Sequence, residues 1–99
     1  MSISKAPPIH PGEILRELYL APLSMTPYSL ARQLRVPRTR IERIVGEKVG
    51  ISADTALRLA KFFQTTPEFW LNLQAAYDLK RESSALEAEL AQIPAFEAA

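Results

Sequence analysis

Two scarcities narrow the function classes open to this chain: its 99 residues contain no cysteine and one histidine. Without cysteine there is no disulfide staple and no thiolate nucleophile, which makes a cytoplasmic setting the natural expectation. His10 has no nearby cluster of cysteine, histidine or carboxylate to complete a metal site. It serves better as a helix-start residue. No serine or threonine has a histidine base at plausible reach, and no glycine-rich phosphate loop is present. Neither enzymatic activity nor a metal or cofactor is therefore expected. No apolar run approaches the ~20 residues of a membrane span. The opening MSISKAPPIHP is broken by prolines and does not resemble a signal peptide. The expectation is a soluble protein with no membrane partner. No stretch alternates with period two over strand length, and no internal repeat is visible, so the pattern predicts an all-α domain.

What is present is punctuation and charge. Pro11, Pro27, Pro37 and Pro67 each precede an apolar run at helical spacing, where a missing N–H costs little. Thr26, Ser52 and Thr66 stand where N-caps belong. Five helices follow: residues 11–20, ending before Pro22; 27–34; 37–45; 53–63; and an extended fifth from 67, past 81, to about 93. Their inward faces are Ile14, Leu15, Leu18 and Tyr19; Leu30, Ala31 and Leu34; Ile41, Ile44 and Val45; and Ala56, Leu57, Leu59, Ala60 and Phe63. Phe62, Phe63, Phe69, Trp70 and Tyr77 are spaced for core packing rather than for stacking on bases. The division predicted is a short N-terminal extension (1–9), a helical domain (10–81) and an acidic, alanine-rich tail (82–99).

The formal net charge of +1 conceals a gradient. Arg32, Arg35, Arg38, Arg40, Arg43 and Lys48 face only Glu42 and Glu47, whereas Glu82, Glu87, Glu89 and Glu97 have no basic counterweight in the tail. Local charge, not net charge, sets the field a ligand meets, so two surfaces with different partners are expected. In the tail, Leu79, Leu86, Leu90 and Ile93 recur at helical spacing. Such a stripe needs cover: by folding back on the chain's own core, by a dimer contact, or by a partner protein.

The basic centre, YSLARQLRVPRTRIERI from Tyr28 to Ile44, has the spacing of two short helices joined by a tight turn. Ala31 lets the helices approach, and Ile41 and Ile44 lie ten and thirteen positions later on the buried side of the second helix. Its other side carries arginines and suits a DNA major groove. This unit resembles the helix-turn-helix of the lambda-repressor-like, or Xre, class. HPGEIL from His10, VPRTRI from Val36, ISADTALRLAKFF from Ile51 and TPEFWLNLQAAYDL from Thr66 extend the match over roughly residues 9–81. Across that span the chain is similar to the HigA-type, or VapI-like, antitoxins.

The resemblance implies an antitoxin that neutralises a HigB-type toxin, a RelE-like mRNA endonuclease, and represses its own promoter as a homodimer on a palindromic double-stranded operator. It also implies that the first turn of the second helix points at base edges, which makes Arg38 and Thr39 readers. An arginine donates two parallel hydrogen bonds to guanine, and a threonine offers a hydroxyl or a methyl. Arg43, one turn on, joins them. Tyr28 and Ser29, near a helix N-terminus, together with Arg40 and Lys48, are assigned to the phosphate backbone. Two departures stand out: relatives usually place glycine where Arg35 lies, and commonly show Asn-Gly-Lys-Arg where this chain reads Gly46-Glu47-Lys48-Val49. The acidic tail could meet a basic toxin surface, while the segment before His10 looks too short to wrap one. A stand-alone Xre regulator, or an interaction module whose basic patch serves an acidic partner, shares these residues.

Overall fold

Side-chain caps set where the helices begin in the computed structural model, which describes residues 6–97. The Oγ1 atoms of Thr26 and Thr66 accept from the N–H groups of Ser29 and Phe69, each at 3.1 Å, and Ser52 Oγ accepts from Thr55 N at 3.3 Å. His10 Nδ1 accepts from Gly12 N at 2.8 Å, so the lone histidine is a buried N-cap, its ring edge-on to Tyr77. Six helices result among the described residues: α1 (residues 11–23), α2 (Pro27–Leu34), α3 (Arg38–Val45), α4 (Ala53–Phe63), α5 (Pro67–Ala85) and α6 (Glu87–Ala91). There is no strand among the described residues.

Three of the expected helix bounds need correction. The first helix does not stop before Pro22 but runs through it, because Leu15–Leu20 is π-helical. In α-helical register the Pro22 ring would meet the carbonyl four residues back. The wider turn, with Ala21 N–H bonded to Arg16 O, relieves that clash. It also rephases the helix. Leu15 and Leu20, five apart, are buried, and Leu18, expected inside, is 63% exposed. Second, α3 starts at Arg38, with Pro37 as its N-cap in extended conformation. Third, the last helix is not continuous to 93: α5 ends at Ala85, Leu86 leaves helical ψ, and α6 is a separate short piece. Ser83 Oγ bonds back to the Lys80 carbonyl just before the break, a competition that weakens helices. The tail does not fold back on the core, since Leu79, Leu86, Leu90 and Ile93 are all exposed.

The core gathers Leu15, Leu20, Leu30, Ala31, Leu34, Ile41, Ile44, Ala56, Leu59 and Trp70. Trp70, fully buried, packs on Tyr19 and Phe69 with ring centroids 4.9 and 5.0 Å away and donates its indole N–H to Thr65 Oγ1 at 2.8 Å. Tyr77 sits apart from that cluster, between His10 and Arg81. Leu57, expected inside, is 59% exposed.

Glycine is used here for proximity rather than for backbone freedom. Four non-glycine residues, Ser24, Arg35, Glu47 and Gln64, take positive φ, and no described glycine does. A Cβ on Gly12 would lie 1.8 Å from the Ile44 carbonyl oxygen. The bare Cα of Gly12 is thus what lets α1 lie against the C-terminal end of α3. Arg16, one turn on, donates to the Val45 carbonyl and pairs with Glu47 at 3.3 Å. A cation at this end of a helix satisfies open carbonyls and complements the dipole.

Candidate nucleic-acid interface

The helix-turn-helix is built from α2 and α3, held apart by a turn at Arg35 and together by Leu30, Ala31, Leu34, Ile41 and Ile44, all buried. Arg35 occupies a left-handed position (φ 62°, ψ 45°), a conformation that favours glycine. Val36 N–H returns to the Ala31 carbonyl at 3.1 Å, and Arg35 N–H to Arg32 O at 3.2 Å, a Schellman-type stop. The turn is therefore of the ordinary kind, kept at some steric cost to an L-residue.

With Ile41 and Ile44 inward, Arg38, Thr39, Glu42 and Arg43 are exposed along the opposite side of α3. Tyr28, half exposed, lies between two guanidinium groups, those of Arg32 at 5.9 Å and Arg38 at 6.0 Å from its ring centroid. Arg38 also approaches Glu42 at 3.5 Å, one turn along the same helix. Arg43 and Lys48 have no acidic partner among the described residues, and Lys48 is fixed by its N–H to Arg43 O at 2.8 Å. Arg38, Thr39 and Arg43 thus share one exposed side of α3 with Glu42, and Lys48 is exposed just past its end.

The remaining two site residues are already engaged. Arg40 turns away and pairs with Asp54 at 2.6 Å, and Ser29 gives both its N–H and its hydroxyl to Thr26. Asp54 also accepts from Arg58 Nε at 2.8 Å, while Arg58 Nη1 donates to the Leu34 carbonyl at 2.8 Å. These bonds tie the end of α2, the side of α3 and the start of α4 into one unit. Hydrogen bonds from Arg58 first, and then from Arg40, hold the Asp54 carboxyl below the usual carboxylate range. Reading the sequence missed this brace, although Asp54 and Arg58 stand at i, i+4. It also missed Arg32 beside Tyr28, and Arg16, whose partner Glu47 is 31 residues away. Glu47 is thereby a paired anion, not a lone acidic group beside the groove.

A buried-backed helix with an arginine-rich outer face, locked to a preceding helix by a tight turn, defines the class of helix-turn-helix nucleic-acid readers. Residues 18–68 match the model of the Cro/C1-type HTH DNA-binding domain. The chain is 53% identical over 77 residues to Virulence-associated protein I of Dichelobacter nodosus, covering 78% of this chain and 71% of that one. It is 49% identical over 72 residues to an HTH-type transcriptional regulator of Haemophilus influenzae, covering 73% and 67%. Among solved structures, Pseudomonas aeruginosa antitoxin HigA with the higBA promoter superposes with a TM-score of 0.87 at 42% identity, covering 91% of this chain and 99% of that one. The chain belongs to the Cro/C1-type helix-turn-helix family, in its HigA-type, VapI-like branch.

Proposed function

We propose that this protein is the antitoxin of a toxin–antitoxin pair, binding operator DNA through α3, repressing its own promoter and neutralising a HigB/RelE-like mRNA endonuclease in the cytoplasm. The observation that carries the DNA half is the single exposed face of α3, where Arg38, Thr39 and Arg43 stand opposite the buried Ile41 and Ile44. In this reading residues 10–81 form the DNA-binding unit. Arg38 reads guanine, steadied by Tyr28 and Glu42; Thr39 reads its neighbour; Arg43 reaches a base or a phosphate. Lys48 and Tyr28 contact phosphates. Arg40 and Ser29 contribute less, because Asp54 and Thr26 already engage them. One recognition helix covers only a few base pairs, so a homodimer on two half-sites ~34 Å apart supplies specificity.

Support for the toxin half comes from kinship: the solved relative is called an antitoxin and was captured with its promoter. The stand-alone regulator remains the second reading, favoured by the H. influenzae relative's description as a transcriptional regulator. Co-expression with the adjacent reading frame separates the two. The antitoxin reading expects a co-purifying complex and rescue of growth; a neighbour that is harmless and does not bind leaves the regulator.

A further inference from the structure

Two features have no partner among the described residues, and each carries what the other lacks. One is an open groove of about 590 Å³ between the end of α2 and the outer side of α4, lined by the apolar Leu57 and Phe62, by Arg35, Arg58 and Lys61, and by one carboxylate, Asp54, which Arg58 neutralises. Arg58 is committed to Asp54 and Leu34, but Arg35 and Lys61 have no acidic partner among the described residues. The other is the tail. Leu86, Leu90 and Ile93 are exposed there, and Phe96 is 93% exposed. Among them stand Glu87, Glu89 and Glu97, none of which pairs with a cation among the described residues. Nineteen residues of α5, about 28 Å of helix, separate the end of α4, where Phe62 lies, from Leu86. The chain's own tail lies exposed, away from its own groove.

We propose that the groove receives the acidic, apolar tail of a second copy of this chain, each copy inserting its tail into the other. The proposal rests on the homodimer reading above and assigns its surface. A two-fold pair fills both grooves at once and leaves no open contact for a third copy. Leu90, Ile93 and Phe96 find the apolar lining, and the glutamates find Arg35 and Lys61, the complementarity that steers correct pairing. Because Arg35 is also the turn of the helix-turn-helix, the docked tail of one copy braces the reading unit of the other.

The test is sedimentation equilibrium of the full-length chain. Reversing the groove (Arg35→Glu with Lys61→Glu) or the tail (Glu87→Lys, Glu89→Lys and Glu97→Lys) should raise the dimer dissociation constant roughly tenfold or more. Combining both sets should restore it. Leu57→Ser and Phe96→Ser, at exposed positions that do not endanger folding, should weaken the dimer as well. A dimer indifferent to the groove variants, or weakened by the tail alone, or not restored by the combined reversal, overturns the assignment while leaving the dimer itself standing. A wild-type chain that stays monomeric both free and on its operator refutes the dimer reading and this surface together. If groove variants keep the dimer but lose a co-expressed partner protein, the groove belongs to that partner instead.

Discussion

Gly12→Ala is expected to lower stability although it replaces a helical glycine with the best helix former. The added Cβ would stand 1.8 Å from the Ile44 carbonyl oxygen and 2.8 Å from its carbon, where real Cβ contacts stay above about 3.0 Å. The neighbour is backbone, so no side chain can swing aside. Helices α1 and α3 would have to separate by more than an ångström, against the Arg16 bond to Val45 O and the Arg16 pair with Glu47. Overpacking of this kind costs ~3 kcal/mol at the upper end of its usual range, and alanine's helix preference returns at most ~1 kcal/mol. A net loss of about 2 kcal/mol corresponds to a Tm drop of roughly 8–16 °C for a domain of this size. Urea titration followed by circular dichroism and Trp70 fluorescence measures it. Gly46→Ala is the control, its nearest contact being Glu42 O at 3.1 Å, and it should cost clearly less. A Gly12→Ala protein as stable as wild type would refute the close approach of the two helices.

Three further outcomes follow from the same geometry. Arg35→Gly removes an L-residue from left-handed φ, relieving ~1–2 kcal/mol against the ~0.4–1 kcal/mol that glycine adds to unfolded-state entropy. A modest net gain in urea midpoint is expected; a clear loss would show that the Arg35 side chain stabilises more than its backbone strains. Asp54→Asn should lower Tm at pH 7, and the difference from wild type should shrink as the pH falls below about 4. The sign follows from the depressed carboxyl, whose contribution is present above its unfolded pKa and lost as the pH falls through the folded one. A gap that persists at low pH would mean the carboxylate charge is not what matters. The same variant frees Arg40, so its binding to non-specific DNA should show a salt slope steeper by about one, and an unchanged slope would leave Arg40 outside the interface.

The helices most legible in the sequence were those with both a cap and a first-turn proline, or a cap and a strong apolar period. Residues 27–34 and 53–63 appear with those bounds, because Thr26, Pro27 and Ser52 act locally. Leu18 was misplaced for a reason periodicity cannot express: the π-helical turn before Pro22 changes the repeat from four to five residues. Leu57 was misplaced because helical spacing marks a face but not how wide a stripe the core covers. The exposed side of α3 followed from Ile41 and Ile44. Which arginines there are unencumbered did not, since Arg40 meets Asp54 across the next loop and Arg16 meets Glu47 from a different helix. Those pairings depend on how the helices dock; the approach of α1 to α3 that brings Arg16 to Glu47 turns on the missing Cβ of Gly12, and a glycine in sequence does not show what its Cα lies against.

Titration of the DNA upstream of the chain's own gene, with wild type, Arg38→Ala and Lys48→Ala at two salt concentrations, addresses the central claim that the exposed side of α3 reads an operator. The account predicts tight binding that falls steeply with salt. Arg38→Ala should lose ~1–3 kcal/mol on the operator with little change on scrambled DNA, while Lys48→Ala should weaken both alike and reduce the salt slope by about one. Equal affinity of the wild type for operator and scrambled sequence, or an Arg38→Ala variant indistinguishable from wild type on both, would contradict it.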